Sequence, residues 1–347
     1  MPQSVELGMD TFGDVSESLD GVRLSDAQVI RNVVEQGVLA DKVGVDFFGV
    51  GEHHRDDFAV SSPETVLAAI AARTQRIVLG TAVTVLSSDD PVRAFQRFST
   101  VHAISNGRAE AVVGRGSFTE SFPLFGLDLQ DYDILFEEKL DLFAQLITGE
   151  AVTWKGTQRA SLSDEVVHPR LEHAPLKTWV AVGGTPQSVV RAAHYGLPMM
   201  LAIIGGDPAR FAPFAQLYRE ALEKFGKPAT TPLGVHSPGH IAQTDEEAKE
   251  QFWPHHQIIA DRIGRERGWP PTNRAAFEDG VANGALHVGS PETVAHKIVR
   301  TIRAVGADRF SLKYSGGTLP HEYSMRAIEL YGAQVIPRVR ELLNQPA

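Results

Sequence analysis

Eight short runs rich in β-branched and apolar residues recur along the chain, separated by longer stretches of helical period. Few patterns restrict a fold as tightly as this alternation. The runs are Val5–Met9, Asp46–Val50, Arg76–Val83, Ala109–Val113, Thr178–Val182, Met199–Ile204, Leu233–Ala242 and Arg309–Tyr314. A strand that leads into a helix returns to its sheet as a parallel neighbour, so the pattern implies a parallel sheet. Eight such units favour closure of that sheet. The expected fold class is α/β, a (β/α)8 TIM barrel, over an open doubly wound sheet.

The helical stretches carry their own start and stop signals. In Ser25–Val43, residues Val29, Val33, Ala40 and Val43 recur on one stripe, with Ser25 and Asp26 as N-cap candidates. Ser62-Pro63-Glu64, Asp90-Pro91 and Ser290-Pro291-Glu292 place Pro just inside a helix start, where its missing N–H has no partner to lose. Gly44, Gly196 and Gly306 follow helical runs as C-caps.

Three segments depart from the alternation. Arg115–Tyr132 reads as a loop above the fourth strand, Gly149–Lys177 as a small hairpin excursion, and Asp245–Gly284 as a mainly helical insertion broken at Gly268-Trp269-Pro270-Pro271. The organisation expected is a single barrel domain over 1–347 with insertions after strands 4 and 7. No internal repeat of solenoid length is visible.

Composition narrows the chemistry. Acidic residues outnumber basic ones by 43 to 33, and the formal charge of -10 opposes affinity for nucleic acid or an anionic bilayer. With no Cys there is no thiol nucleophile, disulfide or Cys-ligated metal, so any redox chemistry belongs to a bound cofactor. The leading residues lack the basic start and apolar stretch of a secretion signal, and no run of about 18 apolar residues is present. A cytoplasmic protein is expected.

Functional groups of a parallel barrel collect at the C-terminal ends of its strands. The second run ends in Glu52-His53-His54, where an imidazole suits proton transfer near neutrality; the same residues also read as a polar loop. Adjacent His at a strand end point apart, which disfavours a shared metal, and His255-His256 reads as the decoration of an exposed helix. No catalytic metal is expected. The fourth run ends in Gly114-Arg115-Gly116, a guanidinium between two permissive residues that fits either a phosphate or a tight turn. The fifth runs into Gly183-Gly184-Thr185-Pro186-Gln187-Ser188 ahead of a helix, an anion cradle of free N–H groups and hydroxyls, or simply a turn and a cap. Neither a dinucleotide fingerprint nor a P-loop is present.

Taken together and in order, Val50-Gly51-Glu52-His53-His54, Leu79–Leu86 with Asp90-Pro91-Val92-Arg93, Ser105-Asn106-Gly107-Arg108, Gly114-Arg115-Gly116 and Tyr195-Gly196-Leu197-Pro198-Met199 resemble the bacterial luciferase-like family of flavin-dependent monooxygenases. Val288–Glu292 and Gly317–His321 resemble its oxidoreductase branch. The likeness runs from about residue 5 to about residue 340. It implies a barrel that binds FMN over the strand ends and, with reduced flavin and O2, oxygenates a small organic substrate. It further implies that His53 is the catalytic base with Glu52 and His54 as supporting neighbours, and that Ala82-Val83 is a non-proline cis peptide against the flavin ring. Arg115 falls near the FMN phosphate, and Gly184, Thr185 and Ser188 fall on the phosphate turn, with Gly183 leading into it. Two positions depart from luciferase: Gly114 stands where luciferase has a reactive cysteine, and Asp133 stands near where luciferase has a second phosphate-binding arginine, so light emission is not implied. Phe12, Phe118 and Phe122 are candidates for an apolar substrate pocket. The resemblance also implies a separate NAD(P)H:flavin reductase as partner and a homodimer through Ser62–Arg73 and Pro91–Ala103. The alternatives are an F420-dependent hydride-transfer enzyme, a non-catalytic flavin carrier and, last, a metal-dependent barrel hydrolase.

Overall fold

The computed structural model describes residues 5–173 and 175–345; Met1–Ser4, part of the stretch read for a secretion signal, lie outside the described residues. Eight parallel strands form the barrel: β1 (Glu6–Thr11), β2 (Phe47–Val50), β3 (Val78–Thr81), β4 (Ala109–Gly114), β5 (Thr178–Val182), β6 (Met199–Ala202), β7 (Leu233–Ile241) and β8 (Arg309–Lys313). Each pairs with its sequence neighbour, and β8 pairs with β1 through Glu6↔Arg309 to Asp10↔Lys313, which closes the cylinder. The expected barrel is present, with insertions after strands 4 and 7.

Caps set the helices where the start signals lie. In α1 (Asp26–Val43) Ser25 accepts the Gln28 N–H, and Gly44 closes the helix in the left-handed conformation at φ 87°. The connections continue with α2 (Pro63–Ala71) and α3 (Pro91–Ile104), where Asp90 caps Val92 and Arg93. Then come α4 (Tyr132–Leu146), α5 (Pro186–Tyr195) and α6 (Ala212–Lys224). The seventh connection holds α7 (Asp245–Arg267) and α8 (Arg274–Ala282), separated at Gly268 (φ 70°), and then α9 (Pro291–Val305). After β8 follow α10 (His321–Leu330) and α11 (Ile336–Asn344).

Several expectations need correction. The third run divides: β3 stops at Thr81, and Thr84–Val85 pairs separately with β4. A short parallel strand, His287–Gly289, extends the far end of β7 and had no β-branched signature of its own. The loop after strand 4 contains a helical turn at Ser121–Leu124, and the excursion is an antiparallel hairpin of Val152–Trp154 with Leu162–Glu165. On α2 and α3 the larger apolar residues Val66, Phe95, Phe98 and Val101 are buried in the chain's own core; the apolar residues those helices expose are Ala69, Ala103 and Ile104. Among the described residues no helix is long and apolar enough to cross a membrane.

Candidate active site

Alternation along the strands sorts side chains to the two faces of the barrel wall. Leu7, Met9, Phe48, Val50, Phe310 and Leu312 join the core between sheet and helices, whereas Phe47, Val112, Trp179 and Met200 form a separate cluster inside the barrel. At the N-terminal end the interior is closed by Arg309, fully buried between the rings of Phe47 (4.4 Å) and Trp179 (4.3 Å). Its guanidinium meets Glu110 at 2.8 Å and Glu6, and Lys177 and Trp179 Nε1 also reach Glu110. Burial pushes the Glu110 carboxyl up, and Arg309 with Lys177 reverses that and holds it below the usual range.

Toward the C-terminal end the interior widens because its residues shrink: Gly49, Ala82, Gly114, Ala181 and Ala202. Ala82, Ala181 and Ala202 are only partly buried, so this ring of small side chains is the floor of an open mouth. A Cβ on Gly114 would stand 2.9 Å from Val83 Cγ2 and 3.4 Å from Ala181 Cβ. The Ala82–Val83 peptide bond is cis.

His53 sits at the rim with 12% of its side chain exposed. Phe12, Phe58 and Phe118 surround its ring at 5.1, 4.3 and 5.0 Å between centroids. Burial pushes its pKa down to about 3, so the imidazole is neutral and offers one N–H and one lone pair. Glu120 is its nearest carboxylate, 3.9 Å from Nδ1. Glu52 and His54 do not touch it: Glu52 Oε1 pairs with His54 Nε2 at 2.8 Å, Glu52 Oε2 accepts the Val85 N–H at 2.9 Å, and His54 meets Phe125 edge-on. Their place in the structure is a brace for the rim.

At the fifth strand end, Thr185 is the N-cap of α5 and accepts the Ser188 N–H at 3.4 Å, while the Ser188 hydroxyl, nearly buried, donates to the Thr185 carbonyl. The hydroxyls are thus engaged with each other. What the turn presents outward is backbone: Gly183 has nothing within 4 Å of a Cβ position, Gly184 stands at φ +93°, and the Gly184 and Thr185 N–H groups donate to nothing among the described residues. Such a turn at a helix N-terminus fits a phosphate. Arg115, at the adjacent strand end, lies over the Tyr132 ring and pairs with Asp133 at 2.7 Å.

Two expectations are overturned here. Phe122 is fully buried against Tyr132, a core residue and not a pocket wall. His255 and His256 are half-buried, not exposed: His255 Nδ1 bonds Thr318 Oγ1 at 2.7 Å, and His256 packs between Phe252 and Phe277. Burial first, then the nearby Lys313 ammonium, pushes His256 down to about 4. No cluster of three or more metal-ligating side chains exists among the described residues. A cleft of about 450 Å³ outside the barrel is lined by Asp245, Lys249, Glu278 and Lys297. Its charges are committed, Lys249 to Glu278 at 3.0 Å and Lys297 to the Val281 and Gly284 carbonyls.

The sequence reading missed Asp10, His236, Ser311 and Lys313, which project into the mouth from β1, β7 and β8. Asp10 Oδ2 accepts Ser311 Oγ–H at 2.6 Å and His236 Nδ1–H at 3.0 Å. Lys313 pairs with Asp14 and lies 4.6 Å over the Phe12 ring. Polar residues at alternate positions of apolar strands were the available signal.

Comparison with known proteins identifies the family and the fold. The family model described as luciferase-like monooxygenase matches residues 11–309. Limonene 1,2-monooxygenase of Rhodococcus erythropolis is 26% identical over 308 residues, covering 86% of this chain and 78% of that protein. Among solved structures, monooxygenase RslO1 from Streptomyces bottropensis superposes with a TM-score of 0.82 at 24% identity, covering 96% of this chain and 99% of that one. The oxygenating constituent of 3,6-diketocamphane monooxygenase from Pseudomonas putida, in complex with FMN, gives 0.75 at 20% identity, covering 97% and 99%. The F420-dependent tetrahydromethanopterin reductase of Methanopyrus kandleri gives 0.74 at 17% identity, with the same coverage.

Proposed function

Because the chain belongs to the luciferase-like monooxygenase family, we propose that it binds reduced FMN at the barrel mouth and oxygenates a small organic substrate with O2. The observation that carries this reading is the pairing of a floor of small side chains (Ala82, Gly114, Ala181, Ala202) with an adjacent turn whose Gly184 and Thr185 N–H groups are free. A flat ring fits the first and a phosphate the second. Bound reduced FMN would supply the two electrons that let O2 give one oxygen atom to the substrate and the other to water.

The chain's own residues bind, shield and move protons. Gly184, Thr185 and Arg115 would hold the phosphate, with Gly183 allowing its approach. Ala82, Val83 and Gly114 would lie against the ring. The cage of Phe12, Phe58 and Phe118 keeps water from His53, whose neutral imidazole accepts or donates a proton at the rim. Glu52 and His54 would act by holding the rim in place.

Likeness to named monooxygenases over most of the chain favours FMN and oxygen over the F420 reading. Anaerobic titration with reduced FMN, followed by oxygen uptake in the presence of substrate, tests the proposal. Saturable binding with oxygen-dependent product supports it; oxygen-independent hydride transfer from reduced F420 would replace it. Binding without turnover, insensitive to His53→Gln, would make the protein a flavin carrier. A separate NAD(P)H:flavin reductase as electron donor and a homodimer through α2 and α3 complete the reading, and sedimentation at several concentrations tests the latter.

A further inference from the structure

Phe12 separates two imidazoles. His53 meets its edge at 5.1 Å, and His236 stacks parallel to its face at 5.9 Å with an interplanar angle of 10°. The two rings differ in what stands behind them. His53 has only a carboxylate at 3.9 Å, whereas His236 Nδ1 bonds directly to Asp10, which is 1% exposed.

That contact fixes the tautomer: a carboxylate oxygen accepts, so Nδ1 carries the proton and Nε2 keeps its lone pair. Nε2 has no hydrogen-bond partner among the described residues, and the side chain, 12% exposed, lies on the inner face of β7 beside the mouth. Asp10 accepts from Ser311 and His236, and its Oδ1 is buried with no partner among the described residues. Lys313, the register partner of Asp10 on β8, is held instead by Asp14 and the Ser315 carbonyl. A buried carboxylate behind an oriented imidazole stabilises the imidazolium that forms when Nε2 takes a proton.

We propose that His236, positioned by Asp10, is a proton acceptor for the substrate, and that the substrate bears an acidic hydroxyl, a phenol or an enol. The inference rests on the mouth being the substrate site described above. In the step, the substrate O–H bond breaks, its proton passes to His236 Nε2, and the electron pair stays on the substrate oxygen. An electron-rich phenolate or enolate is the form most open to attack by an electrophilic oxygen.

The test uses the full-length protein and 4-nitrophenol, followed by phenolate absorbance at a pH about one unit below its own aqueous pKa. 4-Nitroanisole, the same ring without an ionisable hydroxyl, is the control. The wild-type protein is expected to raise the bound phenolate fraction. His236→Asn keeps an amide for Asp10 but lacks Nε2, and Asp10→Asn removes the charge; each is expected to lower that fraction about tenfold or more, with 4-nitroanisole binding unchanged. An undiminished signal in His236→Asn, or no phenolate signal in the wild type, overturns the proposal. Reduced FMN is titrated into the same samples: ionisation of nitrophenol without saturable flavin binding would leave this inference standing and remove the flavin reading.

Discussion

Glu52 and Val85 are joined across the rim: one carboxylate oxygen accepts the Val85 N–H at 2.9 Å while the other holds His54 at 2.8 Å. Val85 pairs with Gly114 on the far side, so this carboxylate ties the second strand end to the fourth. Glu52→Ala leaves a buried N–H unpaired and is expected to cost about 1–3 kcal/mol. Glu52→Gln keeps an acceptor for Val85 and should cost less. Urea midpoints at unchanged m-value check the order of the two variants, and equal losses would show that the Val85 contact contributes little.

Acid stability follows from the buried imidazoles. Burial pushes His53 and His287 down to about 3 and His240 and His256 to about 4, from an ordinary value of 6.5. Below about pH 6.5 the unfolded chain binds protons at these rings that the folded chain refuses, so stability is fully present above that value and falls with pH toward the folded values. Each ring adds a slope of up to about 1.4 kcal/mol per pH unit. Denaturant midpoints measured from about pH 7 to about pH 4 should fall steadily, and His53→Gln should flatten the curve by one proton. A pH-independent midpoint would contradict the burial of these groups.

The period of the apolar residues made the barrel legible, because a strand between sheet and helices must be apolar on its outer face whatever the rest of the chain does. The glycine and proline punctuation likewise placed α1, α3 and α9. His287–Gly289 was not legible, since a three-residue strand carries no period. The rim residues Glu52, His53 and His54 form a local cluster and could be read as one, but Asp10, His236 and Ser311 could not. Their contacts join positions 226 and 301 residues apart, and only closure of the barrel brings them together. The arginine at 115 was visible while its pairing with Asp133 was not, because that pairing depends on where α4 begins.

Arg309 closes the barrel floor, and its removal is expected to be severe. The side chain is fully buried, stacked between Phe47 and Trp179 and bonded to Glu110. Arg309→Met keeps much of the volume but leaves the Glu110 carboxylate with Lys177 and the Trp179 N–H alone, an expected loss of about 3–5 kcal/mol. Adding Glu110→Gln removes the uncompensated charge and should recover part of it. The double-mutant cycle by urea denaturation measures the coupling; a double variant no more stable than Arg309→Met alone would assign the loss to packing and not to charge.

Gly114 tests whether the floor of the mouth must stay flat for the flavin. No backbone strain is involved, since this strand residue does not occupy the left-handed region; the constraint is the 2.9 Å between its Cβ position and Val83 Cγ2. Gly114→Ala forces Val83 to shift, and any shift inward raises the surface on which the ring would lie. The expected effect is a rise of about tenfold in the dissociation constant for reduced FMN, equal to about 1.4 kcal/mol, with only a small change in the urea midpoint. Val83→Ala removes the methyl groups that the new Cβ meets, so the Gly114→Ala, Val83→Ala double variant should bind flavin nearly as the wild type does. Anaerobic titration of the four proteins gives the coupling directly. If Gly114→Ala binds reduced FMN unchanged, the flavin ring does not rest on this part of the barrel.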